Sequence, residues 1–144
     1  MFSNLLYILE SIMQLSMIVM IGLYFIFSNT IMSALKKHSS GAEVMVEINE
    51  IILNPIFMFF FMGSAASAIY LTIFAEGLIA ISGIIFFVGT TLVTVVKNVP
   101  LNNRLRDATI QQRPEIWTIY SKDWVFWNHI RSISAIASGF LIVL

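Results

Sequence analysis

Four long runs of apolar residues divide the chain: Leu5–Phe27, Pro55–Phe74, Gly77–Val96 and Trp124–Leu144. A helix needs about 20 apolar residues to cross the roughly 30 Å hydrocarbon core of a bilayer, so each run predicts a transmembrane span. In the first, only Glu10 and Gln14 are strongly polar. Only Ala75 and Glu76 separate the second run from the third, which predicts a tight antiparallel hairpin. The second run contains Gly63, Ser64, Ala65, Ala66, Ser67 and Ala68, small residues that let a neighbouring helix approach closely. Between the first two runs, Ala42–Leu53 has helical spacing, with Val44, Ile48, Ile51 and Ile52 on one side and Glu43, Glu47 and Glu50 broadly on the other. It is too short and too charged to span, and predicts a helix lying at the interface. Asn54-Pro55 marks the start of the next helix, because proline suits a first helical turn. The expected fold is all-α: one domain over residues 1–144, a four-helix transmembrane bundle with a short interfacial helix between spans one and two.

Composition supports that reading. Hydrophobic residues make up 58% of the 144 and charged residues 11%. A soluble domain this small needs far more polar cover, so the expected partner is the lipid bilayer. Zero net charge gives no reason to expect nucleic acid, and the lack of cysteine excludes disulfides and thiolate chemistry. No short apolar stretch ends in a small-residue cleavage site, so no cleaved signal peptide is expected. Every Lys and Arg falls in the first or third connection or near that end of span four, whereas the opposite side carries Glu76 and no basic residue. The positive-inside rule then places both termini outside, with the inner membrane of a bacterium as the expected location.

The candidate chemistry lies between Asn98 and Arg131, where the polar residues gather. Trp124, Trp127, Asn128, Arg131, Ser134, Ala135 and Ser138 fall on one helical stripe, while His129 is about 100° round from Asn128 and faces elsewhere. An arginine at membrane depth is costly and marks a functional site by default. On depth, the acid expected to hold Arg131 is Glu47 or Glu50 of the interfacial segment; without one, the guanidinium is free for an anionic or phenolate-like oxygen. Asn98, Asn102 and Asn103 surround Pro100, and suit either a turn closing span three or contacts to a ligand. Two histidines and no cysteine give no basis for a transition-metal site.

The chain resembles the integral membrane family that includes the fungal anthrone oxygenases. The resemblance rests on Phe27-Ser28-Asn29 with Met32 and Leu35, Asn49 with Asn54-Pro55 and Phe57, Asn98-Val99-Pro100-Leu101-Asn102, Trp124, Trp127-Asn128-His129 and Arg131. Ser33 stands where that pattern has a proline. The resemblance implies oxygenation of an anthrone to an anthraquinone with no metal or flavin cofactor. It implies His129 as the base, Asn128 and Arg131 as holders of an oxyanion, and Trp124 and Trp127 stacked on a ring. Asn98, Asn102, Asn49, Asn54 and Glu47 complete the expected ligand-binding set. A non-catalytic bundle binding a lipid, a quinone-like molecule or a partner protein is the alternative, and a homo-oligomer is left open.

Overall fold

The computed structural model of the chain describes residues 2–144, and side chains from Asn4 onward. Among the described residues it contains five helices. The first, α1, covers Phe2–Ile26 and continues through a π-helical turn, Phe27–Ile31, to Leu35. The short α2 is Gly41–Ile51 and α3 is Pro55–Phe74. The fourth, α4, starts with Gly77–Phe86 and runs through π-helical turns at Phe87–Leu92 and Thr94–Asn98 into Val99–Arg106. The last, α5, is Arg113–Val143. Three of them, α1, α3 and α4, are long and apolar enough to cross a membrane. The fourth expected span lies within α5, whose apolar content is diluted by Asn128, Arg131 and a series of serines.

The helices α1, α4 and α5 are longer than the apolar runs. The first span does not stop at Phe27 but reaches Leu35, α4 passes Val96 to Arg106, and α5 begins at Arg113 rather than Trp124. The expected turn at Asn98–Asn103 is therefore helix. Pro100 is tolerated because it sits in the first α-helical turn after the π-helical Thr94–Asn98, where its missing N–H costs little. Pro114 plays the same part at the start of α5. Asn54 caps α3 as expected: its Oδ1 accepts from the backbone N–H of Ile56 at 3.1 Å and of Phe57 at 3.0 Å. The hairpin at Ala75–Glu76 also forms, and Gly77 adopts a φ of 58° that glycine alone takes freely.

Packing falls into two clusters. Among the apolar runs, Met17, Met20, Tyr24, Ala68, Phe86 and Ala135 bring α1, α3, α4 and α5 together. The small residues of α3 work as expected: Ser64, Ala65, Ser67 and Ala68 are buried, and a Cβ on Gly83 of α4 would lie 2.5 Å from the Ala68 carbonyl oxygen. At the basic end, the helix extensions and α2 build a second core from Phe27, Met32, Leu35, Ala42, Met45, Leu105, Tyr120 and Trp124. The face of α2 differs from expectation. Ala42 and Met45 point inward and Asn49 is half-buried, whereas Val44 and Ile51 are exposed. The helix is fixed by packing under α4 and α5, and Glu43 reaches Arg113 at 3.7 Å.

Candidate functional site

Helical spacing on α5 lines up Tyr120, Trp124, Asn128, Arg131, Ser132, Ala135 and Ser138 as its buried face. Trp127 and Ser134, expected on this stripe, are half-buried, whereas Ser132 and Tyr120, not expected there, are buried. Arg131 is 6% exposed. The expected acid does not reach it: among the described residues no carboxylate pairs with Arg131, and Glu47 and Glu50 are exposed. The reason is that α2 lies in the basic-end core, where its inward face carries Met45 and Asn49 instead of the glutamates. Neutral groups hold the guanidinium. Its Nη1 donates to Thr94 Oγ1 at 3.1 Å and Nη2 to Asn128 Oδ1 at 2.6 Å, and its Cζ lies 4.8 Å from the ring centre of Tyr24 and 5.1 Å from that of Trp124. Such cation–π contacts strengthen when desolvated. Arg131 Nε is buried with no partner.

Asn128 is saturated. Its Nδ2 donates to the Tyr24 carbonyl at 3.2 Å and to Ser28 Oγ at 2.7 Å, while Oδ1 takes the Arg131 bond. Ser132 Oγ completes the net by donating to the Tyr24 carbonyl at 2.8 Å and lying 2.7 Å from Ser28 Oγ. This makes Asn128 a residue that positions Arg131. The π-helical turns explain the supply of partners. Such turns are frequent at functional sites, and here they carry Ser28 on α1 and Thr94 and Asn98 on α4. Asn98 donates from Nδ2 to the Trp124 carbonyl at 3.3 Å, leaving its Oδ1 buried and unpaired. Above the net, Tyr120 donates to Asn102 Oδ1 at 2.9 Å and accepts from Asn49 Nδ2 at 3.5 Å. Burial pushes the Tyr120 hydroxyl above its ordinary range, which keeps it protonated.

All five helices wall a cavity of about 290 Å³ whose inner end is this net. Arg131, Asn128, Trp124, Asn98, Asn102 and Asn49 line it, as do Tyr24, Phe27, Thr94 and Glu50. The structure thus brings together six of the ten expected site residues. The other four lie outside the lining: His129, Asn54 and Glu47 are exposed and Trp127 is half-buried. His129 follows Asn128 by one residue, so helical geometry turns it away from the cavity. Trp127 meets Lys97 instead, whose Nζ lies 4.9 Å from its ring centre. Among the described residues no three His, Asp or Glu side chains gather as a metal site. The sequence reading missed Tyr24, Thr94, Ser132 and Tyr120. Thr90, Thr94 and Asn98 repeat every four residues, a pattern that pointed to one face of α4.

Comparison with curated proteins and with solved structures gives no significant match. The family model described as anthrone oxygenase matches residues 45–141, a span that contains α3, α4 and most of α5 and with them Asn49, Asn98, Asn102, Trp124, Asn128 and Arg131. By that match over well more than half of its length, the chain belongs to the anthrone oxygenase family.

Proposed function

We propose that the chain crosses the membrane four times, with α5 as the fourth span, and that its cavity binds and oxygenates one lipophilic aromatic molecule of the anthrone type. The observation that carries this reading is Arg131: a guanidinium at membrane depth, held by neutral groups, at the end of a largely apolar cavity. An uncompensated buried cation is expensive, and the natural compensation is an anionic oxygen on the ligand. A volume of about 290 Å³ suits one small ring system and no phospholipid. Four antiparallel spans, read with the positive-inside rule, support termini on the outside of a bacterial inner membrane.

The chemistry follows from the substrate. A CH2 group between aryl rings and opposite a ketone loses a proton to a base, and its electron pair becomes an enolate whose oxygen faces Arg131. The enolate gives one electron to O2, the carbon radical and superoxide combine to a peroxide anion, the base returns the proton to it, and the resulting hydroperoxide loses water. The CH2 becomes C=O, and one O2 leaves as one ketone oxygen and one water. The protein removes a proton and stabilises an oxyanion. Arg131 does the second task. Glu50 is the one carboxylate among the cavity-lining residues and takes the proton in this scheme, in place of His129, which lies outside the lining.

Oxygen uptake with anthraquinone formation tests the reading. Purified protein given anthrone, with no metal or flavin added and with chelator present, is expected to consume O2. Glu50→Gln is expected to lower the rate by the ~10²–10⁴-fold of a lost general base, and His129→Ala to change it little. A protein that binds anthrone but consumes no oxygen is a binding module instead.

A further inference from the structure

The hairpin of α3 and α4 is not closed along its whole length. Their packing runs along Gly77–Leu92 of α4, whereas the segment beyond Thr94 packs against α5 and α2. The π-helical turns at Phe87–Leu92 and Thr94–Asn98 stand where the two helices part. The gap lies over the cavity. Met58 on α3 and Val95 and Val99 on α4 line the cavity and are also 38%, 55% and 40% exposed. Leu53, at the foot of the gap, is 67% exposed and lines the cavity too. This lip is apolar, while the cavity's inner end holds Arg131 and Asn98.

The depth of the lip can be read from the chain. Lys97 lies over Trp127, a pairing of the kind that marks the boundary between hydrocarbon and headgroups. Since α4 runs toward its basic end, Val95 sits on the hydrocarbon side of Lys97. We infer that the cavity is filled sideways from the bilayer, through the gap between α3 and α4, by a molecule dissolved among the lipid chains. A competing mouth exists on the aqueous side, where Glu50, Asn103 and Arg106 line the cavity and are exposed. The apolar lip is the route for an apolar ligand, because it partitions into lipid and reaches the gap without crossing charged groups. This inference rests on the proposed function only for the identity of the ligand.

Because the chain has no native cysteine, single cysteines place spin labels cleanly. Full-length protein with a label at Val95 or at Asn103, in lipid nanodiscs, is exposed to O2 and to a water-soluble nickel chelate. The Val95 label is expected to collide mainly with O2 and the Asn103 label mainly with the chelate; chelate-dominated collisions at Val95 overturn the portal. Stopped-flow quenching of tryptophan fluorescence by anthrone supplies the second arm. Val95→Phe, at an exposed position of the lip, is expected to slow both binding and release by similar factors. Asn103→Phe is expected to slow them less than Val95→Phe does. The reverse pattern assigns access to the aqueous mouth and refutes the inference. If the unaltered protein binds no anthrone, the proposed function falls, and the spin labels still decide where the cavity opens.

Discussion

Replacing Arg131 by methionine removes the charge and keeps much of the side-chain volume. The structure fixes what is lost. Two hydrogen bonds from a charged donor, to Thr94 and Asn128, are each worth about 1.5–3 kcal/mol. The flanking Tyr24 and Trp124 rings add roughly 1–2 kcal/mol each in a desolvated setting. What is gained is the cost of holding an arginine at membrane depth, about 2.5–3.5 kcal/mol. Even at the low ends of the first two ranges the losses win by about 2 kcal/mol. Arg131→Met is therefore expected to destabilise the solubilised protein by roughly that amount. The partner assignment is tested by double-mutant cycles with unfolding in mixed micelles followed by tryptophan fluorescence. Arg131→Met and Asn128→Leu are expected to couple by at least about 1 kcal/mol, because they share a bond. Arg131→Met with Glu47→Leu or Glu50→Leu is expected to be additive within about 0.5 kcal/mol. Coupling to either glutamate above 1 kcal/mol would refute a guanidinium held by neutral groups.

Close helix approach gives a second expectation: Gly83→Ala, whose Cβ would meet the Ala68 carbonyl, costs about 1–3 kcal/mol. Gly22→Ala, whose Cβ meets nothing within 4 Å, is expected to be neutral or slightly stabilising in the same unfolding assay. Asn54→Ala removes the α3 cap and is expected to cost ~1 kcal/mol. Burial raises the Tyr120 hydroxyl above its ordinary value of 10.0. The folded state thus keeps that proton when the unfolded chain loses it, and this part of the stability is present below pH 10.0 and declines above it. Tyr120→Phe is expected to flatten the alkaline limb of stability against pH, by up to ~1.4 kcal/mol per pH unit. For topology, tags at either terminus are expected to be accessible from outside intact bacterial cells; protection of both contradicts the four-span orientation.

The three helices long and apolar enough to cross a membrane were legible in the sequence because burial in lipid demands continuous apolar runs. The helix ends were not. Beyond their apolar runs α1, α4 and α5 form their own core from Leu35, Leu105, Tyr120 and Trp124, so polar neighbours such as Asn102 and Arg104 continue the helices. Proline and asparagine read as a turn at Pro100, yet the preceding π-helical segment removed the conflict. The stripe through Asn128 and Arg131 was visible from period alone. The identity of Arg131's partners was not, since the Thr94 hydroxyl and the Asn128 amide carry no charge to pair by depth or sign. Glu47 and Glu50 had the right sign and the wrong face, which depends on how α2 packs and not on its own period.

Titration of the purified protein in nanodiscs with anthrone, followed by tryptophan fluorescence, tests whether the cavity ending at Arg131 is the ligand site. One saturable site is expected, with an affinity that falls at least about tenfold in Arg131→Met, the equivalent of one lost charged hydrogen bond, and is unchanged in His129→Ala. Undiminished anthrone affinity in Arg131→Met would contradict that assignment.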